Sequence, residues 1–215
     1  MSDIDFSVEG ANSLEHAAVP TLVLKLRVRG GQARSIQNVL LQCQIQIESV
    51  RRQYTPDEQA ELIDLFGTPD RWGETLRSMH WTRVGTLVPP FEGETLVDLQ
   101  VPCTYDFNVA ATKYFYGLEQ GEIPLLLLFS GSIFYREETG LLQVTQIPWS
   151  KEARYRLPVS VWKRMMEFYY PNSAWLCLRH DVFAQLYQFK CLEGIPTWDQ
   201  TIQRLLSLKA QKVPS

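Results

Sequence analysis

The 215-residue chain is poor in the residues that usually announce chemistry: three histidines and four cysteines. Cys43, Cys103, Cys177 and Cys191 are widely separated and follow no zinc-finger or zinc-ribbon spacing. No GxxxxGK[ST] loop, no GxGxxG after a strand and no G-x-S-x-G elbow is present, which removes the common signatures of nucleotide binding and serine hydrolysis. The longest apolar run, residues 123–129, contains Pro124 and is far too short to cross a bilayer as a helix. The acidic start has no apolar core of the kind a secretory signal needs. A cytoplasmic protein with reduced thiols is expected.

What the chain has is an ordinary globular composition, 45% hydrophobic and 12% aromatic, with a formal net charge of −3. That balance lacks the basic footprint of a general nucleic-acid binder. The charge is unevenly spread. Up to Trp149 there are 11 basic and 19 acidic residues, and from Lys151 onward 10 basic and 5 acidic. Pattern shifts at the same point, from strand-like to helix-like. We expect one domain, 1–215, with a β-rich acidic part over 1–149 and a helical basic part over 150–215.

The first part alternates with period two. Residues 39–48 place Leu41, Cys43, Ile45 and Ile47 on one face and Gln42, Gln44, Gln46 and Glu48 on the other. Residues 22–28 read as a strand that stops at Gly30-Gly31, and the glycines suggest a hairpin into 39–48. Further strands fit 81–88, 95–101, 125–135 and 142–147. Residues 125–129 are apolar on both faces, as in a central strand covered on both sides, and Gly131 marks a bulge or bend. Thr55-Pro56-Asp57-Glu58 is a capping box that opens a helical insertion. A second short helix begins at Thr68-Pro69-Asp70. The insertion is expected to cover a sheet end, with rimming a site as the alternative.

The second part reads as helical. Residues 158–168 carry Val161, Trp162, Met165 and Met166 on one stripe and end at Tyr169-Tyr170-Pro171-Asn172. Trp175 to Leu178 reads as a short strand. Asp181 is placed as the cap of a helix closed by Gly194, and Thr197-Trp198-Asp199-Gln200 opens a last helix. Strands before helices give an α+β fold. It has a mostly antiparallel twisted sheet, a short helical insertion, and C-terminal helices packed on the sheet. A β-sandwich with appended helices is the nearest alternative.

Catalytic constellations are weak. Cys177 and His180 supply half a zinc site and no second half, so Cys177, between Leu176 and Leu178, reads as a buried thiol. Cys103 lies near Tyr105 and Asp106, but extended backbone puts thiol and carboxylate on opposite faces, favouring a structural role. No cofactor is expected. The stronger signal is aromatic: Tyr114, Phe115 and Tyr116 in one cluster, Tyr169 and Tyr170 in another, and Trp149 followed by Lys151, Arg154 and Arg156. Such residues either fill a core or anchor a protein partner. These nine are the candidate partner-binding residues, with a solvated edge strand as the plain reading of 151–156.

Three stretches carry a resemblance. They are residues 101–115, opening Val101-Pro102-Cys103-Thr104-Tyr105-Asp106; residues 121–135; and Ile147-Pro148-Trp149-Ser150-Lys151 running on to Tyr170-Pro171-Asn172-Ser173-Ala174-Trp175. Together they resemble an uncharacterised bacterial family, a domain of unknown function found beside genes for [NiFe] uptake hydrogenases and their maturation proteins. The resemblance covers most of the chain. It implies a non-enzymatic accessory protein that binds a hydrogenase subunit or maturation protein, and it brings no assigned site residues. A looser likeness in element order to SecB-type export chaperones implies a holdase or peptide-binding module instead. A thiol-dependent enzyme or metal carrier is the third alternative.

Overall fold

The computed structural model describes residues 4–31, 35–107, 109–137 and 140–210. Its strands are β1 (Ile4–Ser13), β2 (Thr21–Gly30), β3 (Ser35–Ile47), β4 (Met79–Val88), β5 (Glu94–Pro102), β6 (Glu122–Arg136), β7 (Leu142–Gln146) and β8 (Glu152–Pro158). They form two antiparallel sheets. One runs β1-β2-β5; the other runs β4-β3-β6, with β7 and β8 sharing the far side of β6. The fold is α+β, and the two sheets contribute to one apolar core.

Alternation explains why the sheets face each other. In β2, Leu22, Leu24, Leu26 and Val28 are buried while Lys25 and Arg27 stand on the other face. In β3, Val39, Leu41, Cys43, Ile45 and Ile47 are buried, each 1% exposed or less. The ring of Phe6 from β1 stacks on that of Phe129 from β6, with centroids 4.3 Å apart. Fully burying one such side chain contributes roughly 1.5–3 kcal/mol.

The expected hairpin between β2 and β3 does not form, because the two strands lie in different sheets. Each has one wholly apolar face, and stacking these faces shields both in a way that side-by-side pairing cannot. At the end of β2, Gly30 N–H donates to Gly93 O, and Gly30 sits against Ile36 and Phe91. One further strand, β1, goes unread in the sequence. β1 alternates Ile4, Phe6 and Val8 with polar residues, but a register shift between Val8 and Gly10 breaks the pattern. β8 falls in the basic segment read as an edge, and it is an edge strand along residues 122–128 of β6.

β6 is central, as its apolar run suggests, but its outer face is only half covered, with Leu126 and Leu128 half-buried. Gly131 is not a bulge. Pairing with β3 passes through Gly131↔Leu41 without a break. Its φ of +131° and a Cβ position 1.9 Å from Leu40 O require glycine at that point. Here β6 changes neighbours, from β8 to β7: Phe129 N–H donates to Lys151 O, and Ile147 N–H donates to Gly131 O.

The insertion holds α1 (Pro56–Glu61), α2 (Ile63–Phe66) and α3 (Trp72–Thr75). The capping box is formed in full, Thr55 accepting from Glu58 N–H and Glu58 from Thr55 N–H. Glu58 is also the buried partner of Arg52, at 2.5 Å, and accepts from Glu119 N–H. Arg52 donates to the carbonyls of Gln120 and Glu122, while its Nε–H is left without a hydrogen-bond partner. Glu48, expected on the polar face, is buried too, paired with Arg51 and Arg154. Leu62 and Phe66 enter the core, so the insertion covers the sheet end as expected.

α4 (Ala110–Tyr116) precedes β6, and α5 (Val159–Tyr169) follows β8. The stripe Val161, Trp162, Met165 and Met166 on α5 is buried, as its spacing predicts. Residues up to Trp175 make one compact unit, and those from Leu176 onward a second. The helices α6 (His180–Leu192) and α7 (Trp198–Ala210) belong to the second. Within it, Phe183 and Tyr187 pack their rings near Trp198, at 5.3 and 6.2 Å. The cap position of α6 is Arg179, and Asp181 lies in the first turn instead. Thr197 Oγ1 accepts from Gln200 N–H, which is half of the expected second box. Residues 175–178 are no strand: Trp175 makes a single bridge to Asp106, and Leu176 is exposed.

Two stability outcomes follow from these contacts. Gly131→Ala forces a Cβ into the Leu40 carbonyl, so it should lower unfolding free energy by more than about 2 kcal/mol in urea titration. Glu58→Ala strands the Arg52 charge inside the protein and should cost roughly 3–5 kcal/mol by the same measurement.

Candidate functional site

The site grows from the end of β5. Cys103 N–H donates to Pro20 O and carries the chain past the sheet. The next residues form an ordered platform: Asp106 N–H donates to Thr104 Oγ1, Thr112 Oγ1–H to Thr104 O, and Phe107 N–H to Trp175 O. This platform presents the Tyr105 ring to α5 and to the segment that follows α5.

Tyr105 stands at the centre of a run of rings. It stacks on Tyr170 with centroids 5.4 Å apart and planes within 14°. Trp162 meets it at 6.1 Å and Phe107 at 5.3 Å. From Trp162 the run continues to Phe115 at 5.3 Å and on to Trp81 at 4.8 Å; from Tyr170 it reaches Trp175 at 5.5 Å. Aromatic pairs at such separations each add about 0.5–1.5 kcal/mol beyond the area they bury, so the run is rigid as well as apolar.

Two hollows flank Tyr105 and Trp162. One, of about 400 Å3, has Phe115, Trp162 and Cys103 at its floor, Tyr105 and Tyr170 as a wall and Trp175, 58% exposed, at its rim. Thr82, Thr104 and Asp106 supply polar atoms there. The other, of about 620 Å3, is lined by Tyr116, by Glu61, Glu119 and Glu167, and by Lys163 and Arg164. Volumes of this size are those of ligand and peptide pockets.

Nucleophilic chemistry finds little support in the groove. The Cys103 thiol donates to Val101 O, and burial pushes its pKa up to about 12. Cys43 is raised to about 12 for the same reason. Burial also raises the Tyr105 phenol, helped by Tyr116 and Glu167. Among the described residues no three His, Cys, Asp or Glu side chains gather as a metal site. The arrangement can stack, exclude water and accept a few hydrogen bonds.

The sequence candidates scatter. Tyr114 and Phe115 are corrections, since at 0% and 1% exposed they are core residues. Tyr114 shares a 2.8 Å hydrogen bond with Tyr54, whose hydroxyl donates to Ser49 O, tying α4 to the insertion. Tyr116 is 49% exposed and edges the larger hollow. Trp149, on the β7–β8 turn, is 93% exposed. The basic residues are paired: Lys151 with Asp5, Arg154 with Glu48 and Glu152, and Arg156 with Glu122 at 3.8 Å. Tyr169 is tied to the chain before β2, its hydroxyl donating to Leu14 O and accepting from Ala17 N–H. Tyr170 is in the groove wall. Cys177 is exposed rather than buried, and His180 opens α6.

Sequence reasoning missed Tyr105, Trp162 and Trp175 as a group. The sequence places Tyr105 and Phe107 with the aromatics that follow Cys103 and Trp162 on the core stripe of α5, with nothing local to join them. A signal was present, because two of the stretches that carry the family resemblance, 101–115 and 170–175, meet here.

The protein-family comparison matches residues 1–214 to a family described as a family of unknown function, DUF6084. No curated protein matches the sequence. Among solved structures, a β-glucosidase from Kluyveromyces marxianus is similar at 6% identity and a TM-score of 0.25, over 72% of this chain and 15% of that one. β-Glucosidase 3B from Thermotoga neapolitana is similar at 12% identity and a TM-score of 0.25, over 72% of this chain and 17% of that one. The chain thus spans less than a fifth of either enzyme, and likenesses this slight bear on neither fold nor activity.

Thiol labelling tests the burial pattern. In the folded protein Cys177 and Cys191 should react, while Cys43 and Cys103 should stay protected as pH rises from 7 to 10, because their thiols remain protonated to about 12. Unfolding returns both to their ordinary value of 9.0, so the stability they contribute is complete below that pH and is lost as pH climbs towards 12.

Proposed function

We propose that this chain, which belongs to the DUF6084 family over residues 1–214, is a non-enzymatic accessory protein that holds a segment of a partner protein in the groove around Tyr105. The observation that carries this reading is the run of rings from Trp81 to Trp175, packed from below and opening to solvent at Tyr105, Tyr170 and Trp175. Aromatic anchors in rigid hollows are the usual centres of protein interfaces, because they bring large contact area at little entropic cost. The protonated, buried Cys103 fits a binding role better than a catalytic one. The partner we propose is a subunit of a [NiFe] hydrogenase or one of its maturation proteins. Support for that partner is the resemblance of residues 101–115, 121–135 and 147–175, which speaks to a pathway and leaves the mechanism to the groove.

A holdase is the second reading. It is favoured by the second unit, where none of the 13 residues of α6 is buried and Phe183, Leu192 and Leu206 are exposed.

Co-purification from the native organism tests both. Tagged hydrogenase subunits and maturation proteins should retain the wild-type chain. Trp175→Ala should weaken that retention at least tenfold while thermal stability stays within a few degrees, since Trp175 is a rim residue. Retention of the variant at full strength would remove the groove from the proposal. Absence of every hydrogenase component would remove the named partner. Equal suppression of aggregation of several unrelated unfolded proteins would favour the holdase.

A further inference from the structure

Among the described residues, the open side of β7 is unlike that of any other edge strand. Edge strands invite pairing with foreign chains, and proteins normally guard them with charge, proline or bulges. β1 carries Asp5 and Glu9 and a register break; β5 carries Glu94 and Asp98 and ends in Pro102. β4 carries Arg83, and β8 carries Glu152, Arg154 and Arg156. β7, Leu142-Gln143-Val144-Thr145-Gln146, carries no charge, no proline and no bulge, and it pairs only with β6.

The hydrogen bonds at its two ends decide which backbone groups face outward. Glu137 N–H donates to Leu141 O, and Ile147 N–H donates to Gly131 O. Antiparallel pairs alternate between bonded and non-bonded positions, so residues 143 and 145 turn their backbone groups towards β6. Leu142, Val144 and Gln146 turn theirs to the open side. Leu142 and Val144 are 55% and 53% exposed on the sheet's outer face.

We propose that this edge pairs with the same edge of a second copy, antiparallel about a two-fold axis at Val144, joining the two five-stranded sheets into one. The five residues suit themselves in that register. Val144 meets Val144, Gln143 meets Thr145, and Leu142 meets Gln146, so no charge meets a like charge. The outward N–H and C=O groups of Val144 find their partners in the Val144 of the other copy. The two Val144 side chains come together on the outer face, close to the two Phe134 rings, which lie beside Val144 in the β6–β7 register. A charged partner strand would gain nothing from an edge without charge, whereas a second copy brings the matching pattern.

Val144→Pro is a sharp test, because it deletes a donor that faces outward and leaves the β6–β7 hydrogen bonds intact. Sedimentation of the full chain should show a concentration-dependent dimer for the wild type. Self-association should weaken at least tenfold in Val144→Pro, with an unchanged far-UV circular dichroism spectrum. If that variant misfolds, Val144→Lys decides, since it sets two like charges opposite each other while keeping the N–H. A wild type that stays monomeric, or variants that dimerise as the wild type does, would overturn the proposal. So would a monomer whose Val144 amide gains exchange protection only when another protein is added, which would assign the edge to that protein.

Discussion

The first unit depends on two apolar sheet faces that must be hidden from water at once. β2 presents Leu22, Leu24, Leu26 and Val28; β3 and β6 present Leu41, Cys43, Ile45, Leu125 and Leu127. Neither face can be solvated cheaply, and each is the right size to cover the other. Once they are stacked, the chain must cross between sheets at Gly30, β5 must return to β2, and the ends of the stack need separate covers. The insertion and α5 supply such covers. The groove exists because the segment after β5, α4 and α5 bring their aromatics together where the chain leaves the β1-β2-β5 sheet.

A second constraint is polar. The buried Arg52–Glu58 pair joins the insertion to residues 119–122, just ahead of β6. Buried pairs of this kind add little net stability but make wrong arrangements costly, because either charge left alone is severely penalised. Tyr54 and Tyr114 reinforce the same junction through their shared hydrogen bond. Together they set the position of α4, and with it Phe115 at the floor of the smaller hollow and Tyr116 at the edge of the larger. The aromatic groove thus rests on a polar lock some distance along the chain.

Much of the local structure was legible. The period-two faces of β3, the capping box at Thr55 and the buried stripe of α5 are each set by neighbouring residues, so a short window suffices to see them. Errors came where distance in sequence mattered. Gly30-Gly31 looks alike in a hairpin and in a link between two sheets. Tyr114 and Phe115 look like anchors in a list of aromatics, and only the packing of α4 shows them to be core. Leu176-Cys177-Leu178 has the apolar pattern of a buried strand, but it forms no strand and lies exposed.

By itself the sequence determined the α+β class, most element positions and the sparseness of catalytic groups, since these depend on residue type and on spacings of a few residues. Only tertiary structure decided which strands share a sheet, that Tyr105 and Tyr170 stack, and that β7 is the one unguarded edge among the described residues. Stacking and pairing join residues tens of positions apart. Their partners are chosen by the burial of whole faces, which no local pattern encodes.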